Sequence, residues 1–236
     1  MRDMRIALCN GYEMKISENR KIRIADEAGR GAGCIVYDAI YWDQMQIKHK
    51  IRVRECYPAY IQLTRAATGE LVPSGNPEKF EKAKNRFTDA YKRNTDIRNT
   101  LGLTNSTVNA VDVISCNHTV YILLPMDEGI DYRYYEDQSL QELFRHMKSL
   151  AQIILKYHQK GYLHLDIKPE NVLILPETPE HVILFDFDSV TAIGELQKNP
   201  HQDRRRSPSE MPQVLRFSGS HLPFSEHPDP CSLYLF

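Results

Sequence analysis

The chain has 236 residues, with 30 Lys and Arg against 31 Asp and Glu, a formal net charge of −1 and 42% hydrophobic residues. This is the balance of an ordinary globular protein with a sizeable core, and it excludes disorder throughout. Near-neutral charge removes the simplest case for a nucleic-acid partner, and no apolar run approaches the roughly 18 residues of a membrane span. Cys9, Cys34, Cys56, Cys116 and Cys231 form no C-x-x-C pair, so neither a zinc knuckle nor a dithiol redox site has its spacing. Their odd number, in a chain too long to need stapling, fits a reducing compartment. Within residues 1–20 only Ile6 to Cys9 is apolar, too short for a signal-peptide core, so the expected location is cytoplasmic.

In chain order, Ile22 and Ile24 alternate with basic residues, Ile35 to Tyr41 is β-branched and aromatic, and Ile47 to Cys56 alternates again. These read as three strands, interrupted by Gly29, Gly31 and Gly33. After the turn Pro73-Ser74-Gly75, Asn76 suits a helix cap and Pro77 the first helical position. Phe80, Phe87, Tyr91 and Ile97 recur at helical spacing until Gly102. Val111 to Ile114 and Val120 to Leu124 read as a hairpin. Ser139 with Glu142 then forms a capping box ahead of a helix lined by Leu140, Leu143, Phe144, Met147, Leu150, Ile154 and Tyr157. Val172 to Leu175 and Val182 to Phe187 flank a proline-rich turn as a second hairpin. From about Lys198 the composition changes, with six of the 13 prolines and an Arg204-Arg205-Arg206 run, as in a linker or tail.

The segment His164-Leu165-Asp166-Ile167-Lys168-Pro169-Glu170-Asn171 lies between the long helix and a strand. It resembles the protein-kinase catalytic loop, H-R-D-L-x-x-x-N, with Leu165 in place of the arginine. Phosphoryl transfer needs a carboxylate to orient the substrate hydroxyl, a cation on the transferring phosphate and an oxygen ligand for Mg²⁺. The resemblance assigns these roles to Asp166, Lys168 and Asn171. Twenty residues past Asp166, Phe185-Asp186-Phe187-Asp188 stands where the family carries D-F-G, which makes Asp186 a second Mg²⁺ ligand and puts aspartate at the glycine position.

Upstream, Gly29-Arg30-Gly31-Ala32-Gly33-Cys34-Ile35-Val36 resembles the family's glycine-rich loop, whose missing side chains let backbone N–H groups approach phosphates. Cys34 occupies the third glycine position and Gly33 lies one place early. Ile51-Arg52-Val53-Arg54 corresponds to V-A-I-K, so Arg54 takes the place of the phosphate-binding lysine, with Lys48 and Lys50 as candidate substitutes. Arg52 shares its strand face and is expected to crowd the adenine edge. The helix glutamate that pairs with this cation is unassigned: Glu78 and Glu81 lie early in the helix, while counting back from the next strand points to Asn94 to Asp96. By the same register Leu124 is the gatekeeper, Met126 and Asp127 offer hinge backbone to adenine, and Val36 and Leu173 enclose the ring.

The resemblance, which covers about Lys21 to Val190, implies an α+β, protein-kinase-like two-lobe fold of the bacterial Ser/Thr type. Its first lobe would be a five-stranded antiparallel sheet with one helix, and its second an incomplete, mainly helical lobe. The implied organisation is an extension over 1–20, a first lobe over 21–126, a partial second lobe over 127–196 and a tail over 197–236. The implied activity is transfer of the ATP γ-phosphoryl group to Ser or Thr hydroxyls of a protein substrate, with Mg²⁺. The alternative is a degenerate or pseudokinase module that binds nucleotide or a protein partner without turnover. Only 50 residues follow Asp186, and the family's A-P-E and later helices are not legible in them. That leads to the expectation of a natural truncation or a reading-frame change near Glu195 to Asp203, with the long helix left exposing apolar side chains.

Overall fold

The computed structural model describes residues 3–103, 110–126, 129–132, 139–175 and 178–198. Its first half is a curled antiparallel sheet. β1 (Glu13–Lys15), β2 (Lys21–Arg30), β3 (Cys34–Trp42) and β4 (Lys48–Cys56) follow in order, then a small hairpin of β5 (Leu63–Arg65) and β6 (Leu71–Pro73). Helix α1 (Pro77–Leu101) precedes β7 (Asp112–Cys116) and β8 (Thr119–Pro125). The sheet order is β1-β2-β3-β4-β8-β7, so it has six strands where five are expected. The added strand is β1, which pairs Met14 with Ile22 at the edge of β2. Three residues with one buried side chain leave no periodicity to read, which is why it is invisible in the sequence.

Helix α1 begins and ends where its sequence dictates. The Asn76 side chain accepts from the Glu78 N–H, Pro77 fills the first turn, and Gly102 at φ 63° supplies the left-handed C-cap. Its buried face, Phe80, Phe87, Tyr91 and Ile97, packs toward the sheet and toward the second half of the chain. Burying each such side chain contributes roughly 1.5–3 kcal/mol.

On the side of β4 away from its arginines lies a buried polar network. Glu55 is fully buried and accepts from the Tyr37 and Tyr121 hydroxyls at 2.8 Å each. Arg65, from the β5–β6 hairpin, adds Nη1 at 3.0 Å, and its Nη1 and Nε also reach the carbonyls of Gly69 and Ile6. One carboxylate thus joins the sheet, the hairpin and the N-terminal segment.

In the second half, β9 (Ile130–Asp131) pairs with β11 (Val172–Leu175), which pairs with β12 (Thr178–Leu184). Helix α2 (Leu140–Gln159) carries the expected capping box of Ser139 and Glu142. β10 (Tyr162–Leu163) pairs with β13 (Thr191–Ala192), and α3 (Ile193–Lys198) ends the described chain, leaving most of the expected tail outside it. Gly129 sits in a tight place: a Cβ there would lie 3.1 Å from Leu173 Cβ and 3.3 Å from the Ile174 carbonyl.

The apolar face of α2 divides into a buried part and the exposed part expected of it. His146, Ile153 and Tyr157 are buried, with Leu150 packed behind them. Leu140, Phe144 and Met147 are 74%, 69% and 59% exposed, so the N-terminal part of this face points away from the core of the described residues. No described helix is long and apolar enough to cross a membrane.

Candidate active site

The segment after β10 is held rigidly. Pro169–Asn171 forms a single 3-10 turn, closed by Asn171 N–H on the Lys168 carbonyl at 2.9 Å. The Asn171 carbonyl accepts from Phe185 N–H at 3.0 Å, which fastens this loop to the end of β12. Asp166 Oδ2 accepts from Lys168 Nζ at 2.8 Å and from Asn171 Nδ2 at 3.1 Å, and Nδ2 also reaches the Asp166 carbonyl at 2.8 Å. With its amide nitrogen on Asp166, Asn171 offers only its amide oxygen to any further partner. Leu165, at φ 62°, is a strained residue of the kind that clusters at functional sites, and its side chain is exposed.

His164 is buried edge-on against Phe187, with ring centroids 5.5 Å apart, and beside Tyr157 at 6.3 Å. Burial lowers its pKa, so the imidazole is neutral. Phe187 stacks on Tyr157 at 6.1 Å and meets the edge of Tyr91 at 6.4 Å. This aromatic column runs from α1 to the loop that begins at His164. Asp186 precedes Phe187 at φ 62°, and that backbone sends the ring inward and the carboxylate toward β4.

Arg54, 7% exposed, receives it. Its Nη2 lies 3.2 Å from Asp186 Oδ1, 2.7 Å from Asp188 Oδ2 and 3.3 Å from Cys34 Sγ. Its Nη1 donates to the Tyr91 hydroxyl, and the guanidinium stands 5.5 Å from the Phe87 ring centroid. Burial alone would lower the Arg54 pKa, but the groups around it, with the Asp188 and Asp186 carboxylates supplying the negative charge, outweigh it, so the guanidinium is more firmly protonated than usual. Burial raises the pKa of Tyr91 and of Cys34, leaving a neutral phenol and a neutral thiol beside it.

The partner that α1 gives to Arg54 is therefore Tyr91, one turn before the Asn94 to Asp96 region. Asn94 is fully buried and accepts from the Tyr157 hydroxyl, which ties α1 to α2 instead. Glu78 and Glu81 are exposed, and Glu81 pairs with Lys84 at 2.7 Å. Lys48 and Lys50 are exposed too, and Lys48 sits over Trp42 at 5.8 Å, so neither joins the Arg54 cluster. Arg52 swings out to Asp38 at 3.2 Å.

Gly29 lies within β2 opposite Val36, while Gly31 and Gly33 form the turn. A Cβ on Gly31 would sit 3.8 Å from Cys34 Sγ, and one on Gly33 would sit 3.9 Å from Asp188 Oδ2. The turn thus rests against the Arg54 cluster. It is also braced by a residue with no sequence signal, Arg5, whose side chain donates to the carbonyls of Gly31 (2.9 Å), Cys34 (3.2 Å) and Tyr57. Tyr57 N–H reaches the Gly33 carbonyl at 3.1 Å and Ala59 N–H the Ala32 carbonyl at 2.9 Å. Val36 and Leu173 are both partly buried against one core cluster, and Met126, 37% exposed, follows β8. Asp127 lies outside the described residues.

Thus Asp166, Lys168 and Asn171 form one bonded group and Arg54 and Asp186 another, with Gly31 and Gly33 against the second. The donors on offer to a cation, an Asn171 amide oxygen and the partly exposed Asp186 carboxylate, are hard oxygens of the kind Mg²⁺ takes from protein alongside phosphate. The residues present fit that ion.

No protein-family model matches the chain. A stretch of 84 residues, 33% of this chain, is 34% identical to citron rho-interacting kinase of Rattus norvegicus and spans 4% of that protein. The fold is similar to the solved structure of the PpkA-294 apo form, with a TM-score of 0.62 and 22% identity over 83% of this chain and 66% of that one. The fold is protein-kinase-like.

Proposed function

We propose that this chain binds ATP with Mg²⁺ between Val36 and Leu173 and transfers the γ-phosphoryl group to a Ser or Thr hydroxyl of a protein substrate. The observation that carries this reading is the bonded group of Asp166, Lys168 and Asn171, with a carboxylate, an ammonium and an amide fixed by contacts of 2.8 to 3.1 Å. Asp166 would accept a hydrogen bond from the substrate hydroxyl and take its proton as that oxygen bonds the γ-phosphorus and the bond from the γ-phosphorus to the β-phosphate oxygen breaks, releasing ADP. Lys168, already beside that carboxylate, would stabilise charge on the transferring group. Asn171 and Asp186 would hold Mg²⁺, which when bound neutralises phosphate charge. Hinge backbone at Met126 and Asp127 would meet adenine, and the turn containing Gly31 and Gly33 would cover the phosphates.

Incubation with γ-³²P-ATP, Mg²⁺ and a basic protein acceptor tests this, with Asp166→Asn alongside. The expected result is label on acceptor Ser or Thr, reduced roughly 10²- to 10⁴-fold in the variant. Equal label from both proteins removes the assignment.

A second reading, nucleotide binding without turnover, is favoured by Arg54, which rests on Asp186 where the kinase pattern has a lysine. In that case ATP with Mg²⁺ raises the melting temperature while no label is transferred.

A further inference from the structure

Cys34, Arg54 and Asp188 are three separate departures from the kinase pattern, yet they meet in one cluster. Arg54 places a single cation on two carboxylates, and the two are not equivalent. Its contact with Asp188, at 2.7 Å, is within the range of a strong charge-assisted bond, whereas the 3.2 Å to Asp186 is at the outer edge for an N–H···O bond. The Tyr91 hydroxyl takes the other guanidinium nitrogen but brings no charge. Among the described residues, Asp186 and Asp188 are the carboxylates that bond Arg54.

The backbone at 188 also differs from what a glycine position suggests. The positive φ in this turn belongs to Asp186, and Asp188 is not among the residues with φ above zero. An aspartate therefore stands there without strain, directly under the glycine turn.

We propose that Asp188 is a positioning residue that holds Arg54 so that Asp186 can be released to a divalent cation when nucleotide enters. The proposal rests on the nucleotide-binding reading. A cation arriving at Asp186 must compete with the guanidinium already there. With Asp188 present, Arg54 keeps a carboxylate after Asp186 leaves it. Without Asp188, the same exchange strands a buried guanidinium, which is costly, so Arg54 stays on Asp186. Asp188 thus takes over the task that a helix glutamate performs for the lysine in the kinase pattern, but from the metal-ligand side of the site.

The test titrates Mg²⁺ against binding of methylanthraniloyl-labelled ATP to the wild type, Asp188→Asn, Asp188→Gly and Asp188→Glu. The expected result is a half-saturating Mg²⁺ concentration raised about tenfold in the Asn and Gly variants, with near-wild-type behaviour in the Glu variant. At saturating Mg²⁺, nucleotide affinity should change little. Melting temperatures without nucleotide or metal give a second readout: Asp186→Asn should cost far more in the Asp188→Asn background than alone, because each carboxylate covers for the other. An unchanged Mg²⁺ requirement, or additive losses of melting temperature, overturns the proposal. A wild type that binds no nucleotide at any Mg²⁺ concentration overturns the nucleotide-binding reading itself, and this role for Asp188 with it.

Discussion

Arg65 Nη2 lies 2.5 Å from Glu55 Oε2, in an ion pair whose side chains are 5% and 0% exposed. Both Glu55 oxygens are also met by tyrosine hydroxyls, so the charge is buried but fully bonded. Removing one partner leaves the other charge without compensation in the interior. Arg65→Met is therefore expected to lower stability by about 3–5 kcal/mol in urea denaturation at neutral pH. A loss below about 1 kcal/mol would mean that water replaces the arginine.

The two faces of α2 should respond differently. Ile153 is 2% exposed, so Ile153→Ala is expected to cost about 2–5 kcal/mol through lost burial and the cavity left behind. Phe144 is 69% exposed, and Phe144→Gln should stay within about 0.5 kcal/mol. Comparable losses in thermal melts of both variants would mean that Phe144 is covered rather than exposed.

Arg54→Lys restores the residue type of the kinase pattern but is not expected to restore its geometry. An ammonium on a flexible stem cannot keep the forked contacts to Tyr91 on one side and Asp188 on the other. The variant should lose about 1–3 kcal/mol of stability, because buried polar groups lose their partners. Its ATP-dependent thermal stabilisation should be smaller than that of the wild type. An equal stabilisation would show that the guanidinium does not matter to nucleotide binding, and a larger one that it hinders nucleotide.

His164 gives a pH dependence whose sign is fixed by burial. Its folded pKa lies below the ordinary value of 6.5, so the unfolded chain binds the proton more readily. The contribution of neutral His164 is complete above 6.5 and is lost as pH falls below it toward the folded pKa. Comparing wild type with His164→Gln across that range isolates this group from the carboxylates. The wild type should lose stability more steeply with acidification; parallel curves would contradict a neutral buried imidazole.

Much of the architecture is legible in local chemistry. Asn76, Pro77 and Gly102 bound α1, and the spacing of Phe80, Phe87, Tyr91 and Ile97 gives its buried face. The segment from His164 to Asn171 is compact enough that its order alone brings its polar groups together. What escapes the sequence is pairing between distant segments. Tyr91 reads as a core aromatic, and nothing local says that its hydroxyl, rather than a carboxylate a turn later, meets Arg54. Cys34 and Asp188 each look like a lost glycine until β3, β4 and the turn after β12 are brought together. The three-residue strands β1, β5 and β6 are too short to carry a period.

The brace made by Arg5 has a practical consequence for handling the protein. Arg5 is 8% exposed, and the Leu8 N–H donates to the Tyr37 hydroxyl at 3.1 Å, so residues 5–8 share both the glycine turn and the Glu55 network. Trimming them for crystallisation, or letting a protease nick them during purification, would loosen the glycine turn and the back of the sheet at once. A preparation damaged there would give a misleading result in any test of the proposed nucleotide site while every residue of that site was intact.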